Sequence, residues 1–468
     1  MTTSEASFDL VIVGAGPAGM AAAIEAAQGS MSVVVLDEQP MPGGQVHRAI
    51  EQRKYTGKQS NLDDRDGAAL VQAFRNSAAS YCGGTAVWQI EREGEGFAIF
   101  VSSGDAARCL KARRLIIATG AIERPVPMPG WTLPGVMTVG AAQILLKTGG
   151  NVPTGQVVVA GQGPLALLYA TQLLAAGVKP AACLNTTMPG ALDRALRHLP
   201  GALGDIGQIG RGLGFMARLR LGRVPLIGGV SDVAAHGDER LSAVSYVAKG
   251  IRREIKADLL LLHEGVVPHT HLAMSMGAEH RWDEGQSCWQ PRLGADGQTS
   301  IEGLRIAGDG AGIGGWRIAA LDGRLAARAM MRELGRETVQ SLDGAATVTL
   351  RRQRQRLAGL RPFLDAWFRP RAVLLAPPDD VIVCRCEELT AGDLRAAIRQ
   401  GCLGPNQVKS FTRCGMGPCQ GRECALTLTT LVAAERGITP EEAGALRIRP
   451  PLKPLTLGEL AALAPTGA

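Results

Sequence analysis

Cysteine spacing gives the first indication of chemistry in this 468-residue chain, because half of its ten cysteines lie close together near the C-terminus. Cys384 and Cys386 form a C-x-C pair in "VIVCRCEELT", and Cys414 and Cys419 form a C-x4-C pair in "TRCGMGPCQGREC". Four thiolates brought to one point can hold a [2Fe–2S] cluster or a tetrahedral zinc ion. An empty or disulfide-bonded state is the third alternative. We predict these four cysteines as metal ligands, with Cys424, which repeats the x4 spacing, as an alternative ligand.

A glycine-rich loop near the N-terminus predicts a dinucleotide site. The apolar run before Gly14-x-Gly16-x-x-Gly19 reads as a strand, and an Ala-rich helix follows. These glycines permit a tight turn, close approach of a pyrophosphate and close helix packing. About twenty residues further on, the next strand ends in Asp37-Glu38, where a carboxylate can bind ribose hydroxyls; the spacing does not separate the two, although Asp37 lies nearer the strand end. The predicted loop contacts are Gly14, Ala15, Gly16, Pro17, Ala18 and Gly19.

Three further segments resemble the FAD-binding parts of flavoproteins with two dinucleotide domains. "PMPGGQVHR" resembles the flavin-contacting loop of thioredoxin-reductase-like proteins, and "RRLIIATGAIERPVPMPG" resembles the turn that leads back to the pyrophosphate. "GLRIAGDGAGIGGWRIAA" ends an apolar strand in Gly-Asp, where that family uses the Asp on the ribityl or pyrophosphate part of FAD. The resemblance implies these further FAD contacts: Gly43, Gly44, Gln45, Val87, Ala118, Thr119, Gly120, Gly308 and Asp309.

A second glycine loop predicts a second dinucleotide fold between these segments. Gly161-x-Gly163-Pro164-x-Ala166 again follows an apolar strand, and Ala is tolerated as the third small residue. In the pyridine nucleotide-disulfide oxidoreductase architecture this insert is the NAD(P)H domain. The next strand, however, ends at Asn185 with no carboxylate for a ribose, and neither fold contains a C-x-x-C pair. NAD(P), another adenine nucleotide and an empty scaffold therefore stay open at this site.

Composition and charge favour a folded, cytoplasmic protein. The chain is 46% hydrophobic and 20% charged, with a formal net charge of +7. An Arg-rich run over residues 351–371 accounts for part of that charge, but no nucleic-acid motif accompanies it. We predict no transmembrane segment, because the one long uncharged stretch has a Gly-x-Gly-Pro centre. Four isolated cysteines are typical of reduced thiols: Cys82, Cys109, Cys183 and Cys288. Peripheral association with the inner membrane through the electron acceptor is an alternative.

No residue is predicted as catalytic. The chain contains no Ser-His-Asp nucleophile elbow, and no single carboxylate stands out as a substrate base. His269 and His271 form an H-x-H pair, but no clustered Asp or Cys completes a metal site around them. The sequence thus has parts that handle electrons and no evident site that oxidises a substrate.

Taken together, these motifs identify a family resemblance over nearly the full length. The C-terminal cysteine segment is similar to the bacterioferritin-associated ferredoxin-like [2Fe–2S] domain. The whole chain resembles the alpha (A) subunits of heteromeric opine oxidases and D-hydroxyproline dehydrogenases and the matching subunit of hydrogen cyanide synthase. That resemblance implies FAD and [2Fe–2S] cofactors, a D-amino-acid-oxidase-like beta flavoprotein partner and a small gamma ferredoxin-like partner. It implies electron transfer during oxidation of an opine, D-hydroxyproline, proline or glycine type of substrate.

We therefore predict an α/β fold with two Rossmann-like domains, the second inserted in the first, and a small helical C-terminal domain. The expected boundaries are 1–135 and 270–345 for FAD, 136–269 for the second fold, 346–380 for a basic linker, 381–445 for the cluster domain and 446–468 for a docking tail. The competing hypotheses are a stand-alone NAD(P)H-dependent flavin oxidoreductase and a non-catalytic redox-sensing scaffold.

Overall fold

The computed structural model describes residues 6–52, 62–104, 106–336 and 344–463. Residues 1–5 of the predicted FAD domain and 464–468 of the predicted tail lie outside these ranges, as do 53–61, 105 and 337–343. Within the described ranges, no helix combines the length and apolar character needed to span a membrane.

The secondary structure alternates strands and helices through most of the chain. The strands are β1 (Ser7–Val13), β2 (Val33–Asp37), β3 (Ser80–Gly83), β4 (Ala86–Glu93), β5 (Gly96–Ser103), β6 (Ala106–Ile117), β7 (Ala121–Glu123), β8 (Val136–Thr138), β9 (Val157–Gly161), β10 (Ala182–Asn185), β11 (Leu226–Ile227), β12 (Val230–His236), β13 (Ala243–Ala248), β14 (Ile251–Lys256), β15 (Leu259–His263), β16 (Val266–Pro268), β17 (His280–Asp283), β18 (Cys288–Pro291), β19 (Leu304–Ile306), β20 (Ile382–Cys384) and β21 (Leu389–Thr390). The helices are α1 (Pro17–Gln28), α2 (Leu62–Arg75), α3 (Val139–Gly149), α4 (Pro164–Ala175), α5 (Ala191–Leu196), α6 (Leu199–Ala202), α7 (Ile206–Leu221), α8 (His271–Ser275), α9 (Trp316–Glu333), α10 (Gly344–Ala358), α11 (Arg361–Trp367), α12 (Ala372–Leu375), α13 (Ala391–Arg399), α14 (Pro405–Thr412), α15 (Ala425–Arg436), α16 (Pro440–Ala443) and α17 (Leu457–Ala461).

The first sheet has the order β3-β2-β1-β6-β5-β4, and the short strand β19 also pairs with β6. Strand β1 is parallel to both β2 and β6, and its last four residues are buried because helices cover the sheet. Helices α1 and α9 lie side by side on it: a Cβ at Gly323 would come within 2.0 Å of the Ala18 carbonyl oxygen. This close packing brings the glycine loop beside the turn after β19.

The second sheet, β11-β10-β9-β15-β8, is entirely parallel. Its strands lie between β7 and β19 in the chain, so the second dinucleotide-type fold is inserted in the first. The antiparallel sheet β12-β13-β14 is part of the same insert. The predicted fold class is confirmed, and the long uncharged stretch is β9, a glycine turn and α4.

The segment that we expected as a basic linker, residues 346–380, is largely helical. Leu350 of α10 packs against α9, and Phe363 of α11 packs against α5 and α6. Its arginines have acidic partners within the chain: Arg351 pairs with Asp296, Arg354 with Asp322 and Arg371 with Glu264. These ion pairs explain much of the local excess of positive charge.

The C-terminal helices form a small unit that we call the cysteine module, residues 382–443. Helices α13, α14 and α15 surround a core that contains Leu394, Val408 and Leu428. After the module, the tail returns to the first sheet, where Ile448 and Leu452 are buried in the same apolar cluster as β4 and β5. The tail that we expected to dock onto a partner thus packs first on its own chain.

Candidate functional site

The first glycine loop forms a cradle that has no room for side chains. A Cβ at Gly14, whose φ is +106°, would come within 2.4 Å of the Ala118 carbonyl oxygen, and one at Gly19 would come within 1.8 Å of the Gly14 carbonyl oxygen. Pro17 is the first residue of α1, so the free N–H groups at the start of this helix face the loop. Such a helix start binds the negative charge of a pyrophosphate. The predicted segment 14–19 therefore fits this group.

Two adjacent carboxylates at the end of β2 have different environments. Asp37 accepts hydrogen bonds from the Ala15 N–H at 2.6 Å and from the Gln39 N–H at 2.8 Å, one on each oxygen. Burial raises the pKa of Asp37, although both hydrogen bonds oppose that shift. Glu38 is exposed and pairs with Lys453 at 2.8 Å. Asp37 shapes the glycine loop, whereas Glu38 is the carboxylate with freedom to reach a ribose.

The other predicted FAD contacts gather around the same cradle. The Gly43 N–H donates to the Ala15 carbonyl at 2.9 Å, and a Cβ at Gly44 would lie 2.8 Å from Gly16 Cα. The Gln45 side chain donates to the Ala121 carbonyl at 3.4 Å, next to the predicted turn 118–120. Val87 is different, because its side chain is buried in the apolar cluster under the tail.

The turn after β19 closes the cradle from the opposite side. A Cβ at Gly308 would come within 2.8 Å of Ala18 Cβ, so this turn touches α1. Asp309 Oδ1 accepts the N–H groups of Gly314 and Gly315, both at 2.8 Å, and no described residue donates to Oδ2. Asp309 therefore keeps one carboxylate oxygen available for a hydroxyl of a bound dinucleotide.

The second glycine loop has dinucleotide-type geometry but is crossed by the chain itself. Gly161 and Gly163 have φ values of +147° and +94°, Pro164 begins α4, and Ala166 is buried in the core. Between the two glycines, Gln162 donates through Nε2 to the Arg369 carbonyl at 3.0 Å and to Glu264 at 2.9 Å. The segment before α12 therefore lies on the face where a pyrophosphate would bind.

A buried ion pair holds that segment in place. Arg371 donates to Glu264 Oε1 through Nε at 3.0 Å and Nη2 at 2.6 Å, and the two side chains are only 8% and 1% exposed. Thr186 also donates to Glu264, at 2.8 Å. At the end of β10, Asn185 accepts a hydrogen bond from the Thr187 N–H at 2.9 Å, so its side chain is used locally.

The cysteine module brings five thiols together in two groups. Sulfur atoms of Cys384, Cys414 and Cys424, all buried, lie within 4.8 Å of one another. Hydrogen bonds from the other two thiols lower the pKa of Cys384 to about 2, so one negative charge is shared among three sulfurs. Cys386 and Cys419 form a separate pair joined by a side-chain contact. The predicted ligands Cys384 and Cys414 thus belong to the first group, and Cys386 and Cys419 to the second.

This thiol arrangement fits a binuclear cluster. A [2Fe–2S] cluster with four cysteine ligands uses two thiolates for each iron. The Cys386–Cys419 pair matches one iron, and two sulfurs of the three-sulfur group match the other. Gly417 permits the approach of the two chain segments, because a Cβ there would lie 2.3 Å from Cys386 Cβ.

The thiol loop contacts the first sheet through His269 and His271. Arg422 Nε donates to His269 Nε2 at 3.4 Å, and His271 Nε2 donates to the Gln420 carbonyl at 3.1 Å. The backbone N–H of His269 donates to the Gly120 carbonyl at 2.9 Å. Burial lowers the pKa of His269 to about 4, so this side chain is neutral and can accept from Arg422. Sequence reasoning left both histidines without a role, and no local pattern marks Arg422 as their partner.

The fold and the cradle define an oxidoreductase of the dinucleotide-binding class. A profile of the pyridine nucleotide-disulphide oxidoreductase family matches residues 8–331, and a profile of the sarcosine oxidase A3 domain matches residues 381–464. The opine oxidase alpha (A) polypeptide of Rhizobium meliloti (strain 1021) is 42% identical over 459 residues, which cover 97% of this chain and 99% of that protein. The hydrogen cyanide synthase component HcnB of Pseudomonas aeruginosa is 34% identical over 95% of this chain and 96% of its own length. The chain belongs to the pyridine nucleotide-disulphide oxidoreductase family, in the group of opine oxidase alpha subunits, as the sequence predicted.

Solved structures agree on the fold. The L-proline dehydrogenase structure from P. horikoshii has a TM-score of 0.72 and 21% identity, with 97% of this chain and 80% of that chain covered. A thioredoxin reductase from T. acidophilum has a TM-score of 0.53 and 22% identity, with 70% of this chain and 99% of that chain covered. At these identities the likeness concerns architecture.

Proposed function

We propose that this chain is the electron-transferring alpha subunit of a heteromeric dehydrogenase that oxidises a secondary amine or amino acid on a partner subunit. The observation that carries the proposal is the junction between the thiol loop and the first cradle. Arg422, next to the thiol pair, contacts His269, and His269 is hydrogen-bonded to Gly120 in the turn at the cradle. A site for a flavin and a site for a metal cluster thus share one short connection. The relatives named as opine oxidase alpha subunits support the same assignment.

The first cradle is proposed to bind FAD. The N–H groups at the start of α1 bind the pyrophosphate, Glu38 binds ribose hydroxyls and Asp309 Oδ2 binds the ribityl chain. A bound flavin supplies two-electron chemistry and can release electrons singly to a one-electron centre. The contribution of this chain is to hold the two centres at a fixed separation.

The thiols are proposed to bind [2Fe–2S]. Cys386 and Cys419 hold one iron, and Cys384 with Cys424 holds the other. We favour Cys424 over Cys414 because it is the N-cap of the twelve-residue helix α15, whose N-terminus stabilises a thiolate. All ten cysteines of the chain are free, which supports a reducing, cytoplasmic location.

The second dinucleotide fold is proposed to be a scaffold without NAD(P). Gln162 and the Arg371–Glu264 pair fill the position of the pyrophosphate, and Asn185 is bonded to its own turn. This arrangement disfavours the stand-alone NAD(P)H-dependent reductase. The amine substrate is instead oxidised on a D-amino-acid-oxidase-like beta flavoprotein, and a small gamma ferredoxin-like subunit completes the complex.

The proposal is tested with the chain purified together with its beta flavoprotein. Anaerobic addition of the amine substrate should bleach the flavin absorption and then produce the electron paramagnetic resonance signal of a reduced [2Fe–2S] cluster on this chain. NADH added to the same complex should produce neither change. Rapid reduction by NADH with no response to any amine would favour the reductase, and unchanged turnover in the Cys384→Ser variant would favour a redox-sensing scaffold.

A further inference from the structure

Helix α7 carries apolar residues on a face that the described parts of the chain leave uncovered. Ile206 and Leu213, one heptad apart, are 65% and 57% exposed, and Leu221 at the end of the helix is 84% exposed. Leu219 on the opposite face is fully buried against α4. A helix that is apolar on opposite faces is usually covered on both.

The short helices before α7 extend the same property. Leu192 and Leu196 lie one turn apart on α5 and are both exposed. We call this region the α5–α7 surface; it consists of Leu192, Leu196, Leu203, Ile206, Leu213 and Leu221. Contiguous exposed apolar residues of this kind mark interaction sites.

Glycines in α7 are a second, independent observation. A Cβ at Gly210, Gly212 or Gly214 would meet no described atom within 4 Å, so packing inside the chain does not require glycine there. Glycine in a helix interior is destabilising, and it is used where another backbone approaches closely. Gly210 lies between Ile206 and Leu213 on the uncovered face. A partner that approaches this face closely would give these glycines a purpose.

Charge identifies the kind of partner. Residues 186–225 contain six arginines against two aspartates and no lysine or glutamate. Arg211 pairs with Asp63, but Arg218 and Arg220 have no acidic partner among the described residues. Two copies of this surface would repel each other, so a second copy of the chain is disfavoured. The surface fits an apolar face with acidic residues at its rim.

The α5–α7 surface is also connected to the first cradle. Asp63, which binds Arg211 of α7, accepts a hydrogen bond from Trp316 Nε1 at 3.3 Å. Trp316 begins α9 and directly follows Gly315, whose N–H donates to Asp309. A protein bound at this surface would therefore stand beside the turn that holds Asp309.

We propose that the α5–α7 surface binds the beta flavoprotein that oxidises the amine. This inference rests on the proposed function and adds where the partner binds. The apolar residues supply the buried area, the arginines attract an acidic rim, and the glycines allow close approach. The flavin of the partner is thereby brought to the side of the chain where the first cradle opens.

The test compares Leu213→Asp with Ile251→Asp, because both side chains are 57% exposed and Ile251 lies far along the chain on β14. Each variant is co-expressed with the beta flavoprotein, and the dissociation constant is measured by analytical ultracentrifugation. We expect Leu213→Asp to weaken association at least tenfold and Ile251→Asp to leave it unchanged. Equal association of both variants would overturn the proposal.

A second variant excludes misfolding as the cause. Gly210→Leu adds a helix-forming residue in open space, so thermal stability of the isolated chain should stay equal or rise while association weakens at least tenfold. Loss of self-association alone would identify a second copy as the occupant and overturn the proposal. If the wild-type chain itself does not bind the flavoprotein, the proposed function fails; if the wild type binds and the variants bind equally well, the surface assignment fails.

Discussion

Arg422 Nε lies 3.4 Å from His269 Nε2, and this contact joins the cysteine module to the turn at the first cradle. The same guanidinium donates to the Cys419 carbonyl at 3.1 Å and to the Leu452 carbonyl at 3.3 Å. One largely buried cation thus holds the thiol loop, the tail and the flavin side together. Its removal should affect all three.

Arg422→Ala should lower the free energy of unfolding by about 1.5–3 kcal/mol for each strong hydrogen bond left unmade by the charged group. Urea unfolding measures this loss. Arg413→Ala is the matched control, because its pair with Glu387 is exposed and such pairs contribute about 0–1 kcal/mol. Equal losses in the two variants would contradict a structural role for the Arg422 contact.

The two junction histidines predict a dependence of stability on pH. Burial lowers the pKa of His269 to about 4 and that of His271 to about 3, below the ordinary value of about 6.5. The unfolded chain therefore binds protons that the folded chain does not, so stability should fall as the pH decreases from about 6.5 and level off below about 3. His271→Gln keeps a donor for the Gln420 carbonyl and should flatten the profile below about pH 6.5. A profile as steep as that of the wild type would argue against His271.

Cys424→Ser should remove most of the iron and the visible absorption, whereas Cys414→Ser should retain both. Cys402→Ser is the control, since Cys402 is buried in the same module outside the two thiol groups. Iron analysis and absorption spectra of the three purified variants measure the outcome. The reverse result for Cys414 and Cys424 would restore the ligand set predicted from spacing.

Arg371→Ala should destabilise the chain by about 3–5 kcal/mol, because Glu264 would remain buried without its charged partner. Arg371→Ala combined with Glu264→Gln should recover most of that loss in urea unfolding. Neither the wild type nor these variants should bind NADH tightly, as measured by quenching of protein fluorescence. Tight NADH binding by the wild type would contradict the scaffold assignment.

Leu452→Ala should cost about 2–5 kcal/mol, as expected for truncation of a core side chain. Leu452 is 3% exposed and its N–H donates to the Trp88 carbonyl at 2.8 Å. Leu457→Ala, at a position that is 85% exposed, should change stability by less than about 0.5 kcal/mol. If Leu452→Ala weakens only the complex and leaves the isolated chain as stable as before, the tail binds a partner instead of its own sheet.

The parts of the site that the sequence predicts are those that depend on local backbone geometry. The glycine loop, the turn 118–120 and the turn at Asp309 each impose a steric requirement on a few neighbouring residues. Spacing could not choose between Asp37 and Glu38, because the choice depends on backbone N–H groups of the Ala15 loop.

Long-range pairings lay beyond sequence reasoning. Arg371 reaches Glu264 and Lys453 reaches Glu38 across large separations in the chain, and no periodicity links such positions. The grouping of the five thiols has the same origin, since helix α15 brings Cys424 beside Cys384 only after the module has packed.

The position of the tail also determines when a nucleotide can enter. The cradle is built from the first strands to be synthesised, but Lys453 reaches Glu38 only when almost the whole chain has been made. During synthesis the adenosine end of the cradle is open, and it is covered last. Cofactor loading should therefore precede closure by the tail, and exchange of bound cofactor from the finished protein should be slow.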